Sequence, residues 1–319
     1  MKKAGILLIN LGTPESYRPL DVIQYLRQFL NDPRVVDLPW LFRTILVNAI
    51  IIPKRYRKTA NAYEQIWLPD GSPLLVHSKA LQQQLKEKLG EGYQIEIGMR
   101  YGKPSIETAL ENLKHCGSIK IIPLFPQYSS AATGSAIERV YRFFMKQWNI
   151  PTLTIQKDFH DHPAYIQSYA ALIQENIAQK KVDKILFSYH GLPERHIEKT
   201  KNKLFCYQSQ CLKTTELITS ALSLKEDQYI VSFQSRLGKT PWIKPYTDLV
   251  LPTLVQQGIK NIAVVCPSFV SDCLETLEEV NIRTRDQWQS LGGEEFHFIP
   301  CLNVYPLWVE NLIEMLKIP

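Results

Sequence analysis

The 319-residue chain has no Cys-x-x-Cys pair, no glycine-rich phosphate turn, no low-complexity tract and no apolar run long enough to cross a bilayer. Each absence excludes a class. Six cysteines at 116, 206, 211, 266, 273 and 301, without paired spacing, argue against a zinc ribbon or a thioredoxin-like motif and for reduced thiols in cytoplasm. The first apolar run leads into NLGTPES at 10–16, without the glycines of a dinucleotide turn. RLGKT at 236–240 is not a P-loop either, because Phe233 stands where the motif's first glycine belongs. The start, MKKAGILLIN, is too short and lacks the cleavage pattern of a signal peptide, so it reads as the first strand of a protein that stays inside the cell. Residues 38–58 are apolar but broken by Arg43 and Asn48 and interrupted at Pro53, which excludes a membrane span and leaves a segment able to lie on an anionic membrane surface. The net charge of +6 is dispersed apart from KRYRK at 54–58; it suits acidic small molecules or such a surface and does not mark a nucleic-acid binder.

What is present is an alternation. Short β-branched runs, GILLIN, YQIEIG, IKIIPLF and TLTIQ, then KILFSYH, QYIVSF, IAVVCP and FHFIP, are separated by amphipathic stretches of helical period. Strands buried on both faces read as continuous apolar runs, and helices between them mean parallel crossovers. The expected fold is therefore α/β, with two similar doubly wound lobes, each a four-stranded parallel sheet flanked by helices. GILLINLGTPE (5–15) and KILFSYHGLPE (184–194) share Ile-Leu, Gly, Pro and Glu at equal offsets, a mark of duplication that sets Leu11 and His190 at equivalent strand ends. Ligands of such sheets bind beyond the carboxyl ends of the strands. The expected domains are a first lobe over 1–160, a second over 161–303, and a terminal helix over 304–319 packing back on the first lobe.

SDCLETLEEV (271–280) sets the chemical question, because Glu275, Glu278 and Glu279 crowd one side of a helix at spacings of three and four. Each like-charged pair at that spacing costs roughly 0.2–0.5 kcal/mol even when exposed. A solvated helix face, with Asp272 as N-cap or as a first-turn charge against the helix dipole, is the bland account. Yet the helix follows AVVCPSFV, a strand with a proline exit, so its first turn also reaches the carboxyl end of the sheet. There Glu275 would look toward His190, with Glu279 one turn deeper. A neutral imidazole beside clustered carboxylates accepts protons and ligates divalent metal. His160, His162 and His196 read as turn or surface residues. Arg100, Tyr101 and Tyr128 close two strands of the first lobe, and Trp242 stands between prolines as a rigid wall or as ordinary loop packing. The combined rim is aromatic, apolar and locally basic, suited to a flat, greasy dianion.

The stretches LLINLGTPES, FPQYSSAATGS, FSYHGLPERH, FQSRLGKTPW and SDCLETLEEV resemble, in order and over essentially the whole chain, the ferrochelatase family, most of all its proteobacterial type. The resemblance implies a chelatase-like fold and insertion of Fe²⁺ into protoporphyrin IX with release of two protons. It implies His190 and Glu275 as the catalytic and metal-contacting pair, with Glu279 in a relay for protons or metal. Leu11, Arg55, Tyr63, Ser72, Arg100, Tyr101, Ser235 and Trp242 match porphyrin-contacting positions, and residues 38–53 match the family's apolar lip facing the membrane. The partners so implied are protoporphyrin IX and ferrous iron, an anionic membrane surface through 38–58, and an upstream porphyrin-pathway enzyme or an iron donor. Localisation follows as cytoplasmic, peripheral on the inner face of the membrane. Cys273 stands where some relatives have histidine. No cofactor is expected to be bound permanently: iron is the substrate, and Cys206 and Cys211 alone do not supply the four ligands of a [2Fe–2S] cluster. Two other readings suit the same architecture, a non-catalytic tetrapyrrole or metal carrier and a related cobalt chelatase.

Overall fold

The structure, a computed structural model, describes residues 3–317 except 201, 203, 204 and 239. It divides into two compact units, one built on residues 1–158 with the last few residues of the chain, the other on 159–315. Each contains one four-stranded parallel sheet. In the first, β1 (Ala4–Gly12), β2 (Tyr93–Tyr101), β3 (Ser118–Pro123) and β4 (Thr152–Ile155) lie in the order β2-β1-β3-β4. In the second, β5 (Lys184–His190), β6 (Tyr229–Gln234), β7 (Asn261–Val265) and β8 (Glu295–Phe298) lie in the order β6-β5-β7-β8. The eight apolar runs of the sequence are these eight strands.

Burial explains the composition of the central strands. Ile6, Leu7, Leu8 and Ile9 on β1 are all buried, as are Ile185, Leu186 and Phe187 on β5. At about 1.5–3 kcal/mol for each large apolar side chain, a strand covered on both faces has no use for polar alternation. In the first unit Leu7 and Ile9 pack with Ile106, Leu110 and Leu113 of helix Ile106–Leu113 and with Val140 and Phe144 of helix Ser135–Phe144. In the second, Leu186 and Val264 pack with Leu251 and Leu254 of helix Thr247–Gln256 and with Trp288.

The duplication seen in the sequence extends to features that the sequence does not spell out. Each second strand bonds to a segment just beyond it: Met99 N–H donates to the Pro104 carbonyl (2.7 Å) and Phe233 N–H to the Pro245 carbonyl (2.8 Å). Each third strand is followed by a helical segment wound with i→i+5 bonds, Ser130–Gly134 in one unit and Glu275–Thr284 in the other. Such windings are rare and gather at functional sites. Gly12 ends β1 and Gly191 directly follows β5, and a Cβ on either would strike the carbonyl oxygen of the second strand's last residue, Tyr101 at 1.8 Å and Gln234 at 2.6 Å.

The terminal helix Pro306–Lys317 differs from expectation over most of its length. Trp308 stacks with Phe159 and meets Tyr165 edge-on, and Asn311 donates to the Ala164 carbonyl and to Ser168, so its body belongs to the second unit. Its last turn groups with the first unit, where the Leu316 carbonyl accepts from Lys120. Residues 318 and 319, within the predicted terminal segment, lie outside the described residues.

Candidate active site

His190 is the last residue of β5, and its backbone is held on both sides. Its N–H donates to Ser268 Oγ (2.9 Å), and its carbonyl accepts the Tyr207 hydroxyl (2.8 Å), which lies 3.1 Å from Ser268 Oγ. Burial pushes the Tyr207 phenol well up, so it stays protonated and remains a donor. The imidazole is half-buried, with the edge of Phe269 against it, and its Nδ1 lies 2.6 Å from the Gly191 carbonyl oxygen. A carbonyl only accepts, so Nδ1 donates here, and the ring when neutral has its lone pair at Nε2.

The helix of the acidic row is wound in a way that changes the pattern expected of it. In an i→i+5 segment, residues four and five apart share a face. Glu275, Glu279 and Arg283 therefore follow one another at steps of four, and Glu278 reaches Arg283 at a step of five, with Nε 2.9 and 3.0 Å from its two carboxylate oxygens. Glu278 is buried and is not a solvated face. Asp272 is not an exposed N-cap either: it is buried, accepting from Asn303 Nδ2 (2.7 Å), Thr276 Oγ1 (2.9 Å) and Cys301 N–H (3.3 Å).

Two consecutive residues at the end of β6 hold this helix. Gln234 Nε2 donates to the Glu275 carbonyl (2.9 Å), and Gln234 is the register partner of His190. Ser235, at φ +67°, donates its N–H to one Glu279 oxygen (2.8 Å) and its hydroxyl to the other (2.6 Å). Burial pushes the Glu279 carboxyl up; the Ser235 donors, the Arg283 guanidinium and His190 oppose that rise, and Glu275 adds to it. The Cys273 thiol is buried and pushed well up, by desolvation first and by Glu275 next. His190, Glu275, Ser235 and Glu279 thus come together within the second unit, and Gln234, which sequence reasoning passed over, joins them. Its only signal was a polar side chain at the end of an apolar strand.

Trp242 stands beside the same strand end. Its half-buried ring lies over Gly191, where a Cβ would meet Cε3 at 3.2 Å, and its indole N–H donates to the Leu237 carbonyl (3.0 Å). Its observed contacts are those of loop packing. Among the described residues no three His, Cys, Asp or Glu side chains form a group able to hold a metal ion.

The first-unit residues matched to porphyrin contacts divide into two sets. Leu11 is half-buried at the end of β1 and Arg55 is exposed on helix Ile52–Ile66. Tyr63, Ser72 and Tyr101 are buried. Tyr63 packs edge-on against Tyr25 and Trp67, and Ser72 caps helix Pro73–Leu89 by accepting from Leu75 N–H. Tyr101 donates to Asp32 (3.0 Å), which also binds Arg100 and the Ser135 hydroxyl (2.5 Å). Asp32, buried at the turn after helix Pro19–Leu30, is the organising group of this cluster and was not legible as such.

The segment expected to be a lip is a continuous helical run, Trp40–Ile45, Leu46–Ile51 and Ile52–Ile66. Arg43, which breaks the apolar pattern, is buried and donates to the Leu38 carbonyl (2.8 Å), and Asn48 donates to the Thr44 carbonyl (2.8 Å) and to Asn31. The interrupting residues bond back into the protein, and Trp40, Leu41, Phe42, Ile45 and Ile50 are left exposed. No helix among the described residues is long and apolar enough to cross a membrane.

A sequence model of the ferrochelatase family matches residues 3–318. The chain is 51% identical to a protein named ferrochelatase from Legionella pneumophila (strain Paris), over 97% of both chains. It is 47% identical to one of the same name from Coxiella burnetii (strain Dugway 5J108-111), over 99% of this chain and 93% of that one. Among solved structures it is similar in fold to SirB from Bacillus subtilis with Fe³⁺, at a TM-score of 0.59 and 12% identity over 99% of this chain and 94% of that one. It is also similar to CbiX, described as the terminal enzyme for biosynthesis of sirohaem in denitrifying bacteria, at a TM-score of 0.53 and 12% identity over 98% of each.

Proposed function

The chain belongs to the ferrochelatase family, and from that premise we propose that it inserts Fe²⁺ into protoporphyrin IX to give protohaem and two protons, a lyase reaction of haem biosynthesis. Iron is substrate here, and no resident cofactor is invoked. The observation that carries the reading is the His190 ring, anchored through Nδ1 to a carbonyl so that Nε2 is left for the substrate, on a strand end tied through Gln234 to Glu275.

Insertion is slow in water because the ion must shed its hydration shell while a flat macrocycle keeps its nitrogen lone pairs in plane and holds two N–H protons. A site that grips the macrocycle on apolar walls spends remote binding energy on bending it, which exposes the nitrogens. In our reading His190 Nε2 takes a pyrrole proton, Glu275 contacts the metal and shares the proton transfer, and Glu279 receives charge from the first turn of the helix. Burial favours a protonated or cation-paired Glu279, which is the state such a relay passes through. Trp242 and Leu11 act as apolar contacts and Arg55 as a cation for the acidic substrate. Ser235 supports Glu279 within the second unit, and Arg100, Tyr101, Tyr63 and Ser72 serve as framework within the first, because their polar atoms or rings are engaged there.

We place the protein in the cytoplasm, with the exposed apolar side chains of 40–50 and the basic stretch 54–58 lying on the inner face of the membrane. The deciding experiment is anaerobic metal insertion with Fe²⁺, Co²⁺ and Zn²⁺ against protoporphyrin and coproporphyrin, read by absorbance. The expected result is turnover with Fe²⁺ and protoporphyrin. Stoichiometric binding without turnover would make the protein a carrier, and a decisive preference for Co²⁺ would make it a cobalt chelatase. His190→Ala should abolish insertion in a folded protein. Glu275→Gln should lower kcat by about 10²–10⁴-fold, the usual worth of a positioned acid or base, with far less effect on porphyrin affinity.

A further inference from the structure

Gln234 is the end of a chain of buried polar side chains, the rest of which the proposed chemistry does not use. Ser232 Oγ on β6 lies 2.8 Å from Thr247 Oγ1, which lies 2.9 Å from Ser188 Oγ on β5. Ser188 donates to Gln234 Oε1 (2.7 Å), and Gln234 Nε2 donates to the Glu275 carbonyl (2.9 Å). These four side-chain-bearing residues are between 0 and 4% exposed. Polar groups withdrawn from water are tolerated in an interior only when their partners are fixed, and a fully bonded chain of them is correspondingly rigid.

The chain sets the sense of the Gln234 amide. Its oxygen accepts the Ser188 hydroxyl and faces the Cys266 thiol at 3.7 Å, so its NH₂ is directed at Glu275, whose carbonyl only accepts. The reversed amide would bring two oxygen acceptors together in a dry interior. The backbone of the same residue is the register partner of His190, and its carbonyl accepts the Gly191 N–H (2.8 Å). One residue therefore holds the strand that carries the imidazole through its main chain and the helix that carries the carboxylate through its side chain.

We infer that Gln234, backed by Ser188 and Thr247, is a positioning residue for metal insertion, fixing the point from which the Glu275 side chain departs relative to the His190 ring. The inference rests on the reading of this site given above. Displacements of even about 1 Å in a reacting group are costly to rate, and binding of a large apolar substrate is insensitive to them. Gln234 thus governs kcat and leaves KM for the porphyrin alone.

The test is Gln234→Met, which keeps length and removes both hydrogen bonds, assayed with Fe²⁺ and protoporphyrin alone and combined with Glu275→Gln. The expected result is a fall in kcat of about 10-fold or more with KM for protoporphyrin within about 2-fold, and a loss of no more than about 2-fold when the change is made in Glu275→Gln, whose carboxylate is already gone. Near-wild-type kcat in a folded Gln234→Met protein would overturn the inference, as would an equal loss in both backgrounds, which marks a general structural defect. If Gln234→Met does not fold, Thr247→Val removes the hydroxyl one step back; a smaller fall in kcat at constant KM supports the inference and an unchanged kcat overturns it. Failure of the wild-type protein to insert any metal would instead remove the functional reading on which the inference stands.

Discussion

Ser235 binds Glu279 at two points, its backbone N–H on one carboxylate oxygen at 2.8 Å and its hydroxyl on the other at 2.6 Å. With Gln234 on the Glu275 carbonyl, two adjacent residues of a strand end hold two successive turns of the acidic helix. The electrostatic cost of the row is met differently at two of its carboxylates: Glu278 by Arg283, and Glu279 by Ser235 together with a raised proton affinity.

That raised affinity fixes the sign of a pH effect. The folded protein binds the Glu279 proton more tightly than the unfolded chain, so the contribution to stability is full below the ordinary value of 4.5 and is lost as pH rises through the folded value. Glu279→Gln cannot ionise and escapes that loss. The difference in Tm, variant minus wild type, should increase from pH 4 to pH 7; a flat or falling difference in thermal melts would contradict the assignment.

Asp32 has the opposite sign. Burial works against its charged form, but the Ser135 hydroxyl, the Arg34 N–H, Arg100 and Tyr101 together hold the carboxyl below its ordinary 3.8. Its contribution is present above that value and disappears as pH falls through the folded one. Asp32→Asn should therefore be destabilised at pH 7 by about 1.5–3 kcal/mol, the worth of a hydrogen bond to a buried charge. The gap in Tm should close in strongly acid solution, and melts showing a constant gap would rule out charge as the cause.

Gly12 and Gly191 give a graded pair. Gly12→Ala meets the Tyr101 carbonyl oxygen at 1.8 Å in a left-handed conformation (φ +113°), whereas Gly191→Ala meets the Gln234 carbonyl oxygen at 2.6 Å without that backbone demand. Overpacking of this kind costs about 1–3 kcal/mol or more, which lowers Tm by about 2–4 °C per kcal/mol in a domain of this size. Gly12→Ala should be the more destabilised, and Gly191→Ala should lose more activity for each degree of Tm, since its clash falls on the Gln234 backbone beside His190. Equal ratios of activity to stability would argue against a special role for that strand end.

The exposed apolar side chains of the 40–50 helix should anchor the protein to anionic vesicles. Replacing Trp40 and Phe42 with Ser should lower cosedimentation with phosphatidylglycerol vesicles by about 10-fold at low salt, as expected from the apolar area removed. Wild-type protein that stays in the supernatant would remove the membrane assignment.

Much of this architecture could be read along the chain. The apolar runs at 5–10 and 184–190 announced buried parallel strands because a strand covered on both faces must be apolar at successive positions, a local property. The equivalence of the β1 and β5 ends, at Leu11 and His190, followed from equal offsets in two related segments, and the two sheets share one strand order. The acidic row was visible as composition, but its winding was not. An α-helical reading put Glu278 on the same exposed side as its neighbours, whereas i→i+5 bonding gives it Arg283 as partner. Arg43 and Asn48 read as breaks in an apolar segment, because sequence order does not record that both bond back to nearby carbonyls.

By itself the sequence determined the doubly wound duplication, the strand-end histidine and the chelatase motifs, since each depends on residues adjacent or nearly adjacent in the chain. The tertiary structure alone decided which distant side chains hold one another. Gln234 reaches Glu275 across 41 residues, Ser235 reaches Glu279 across 44, and Arg100 reaches Asp32 across 68. Hydrogen bonds over such separations are set by how strands and helices pack in space, and no periodicity along the chain encodes them.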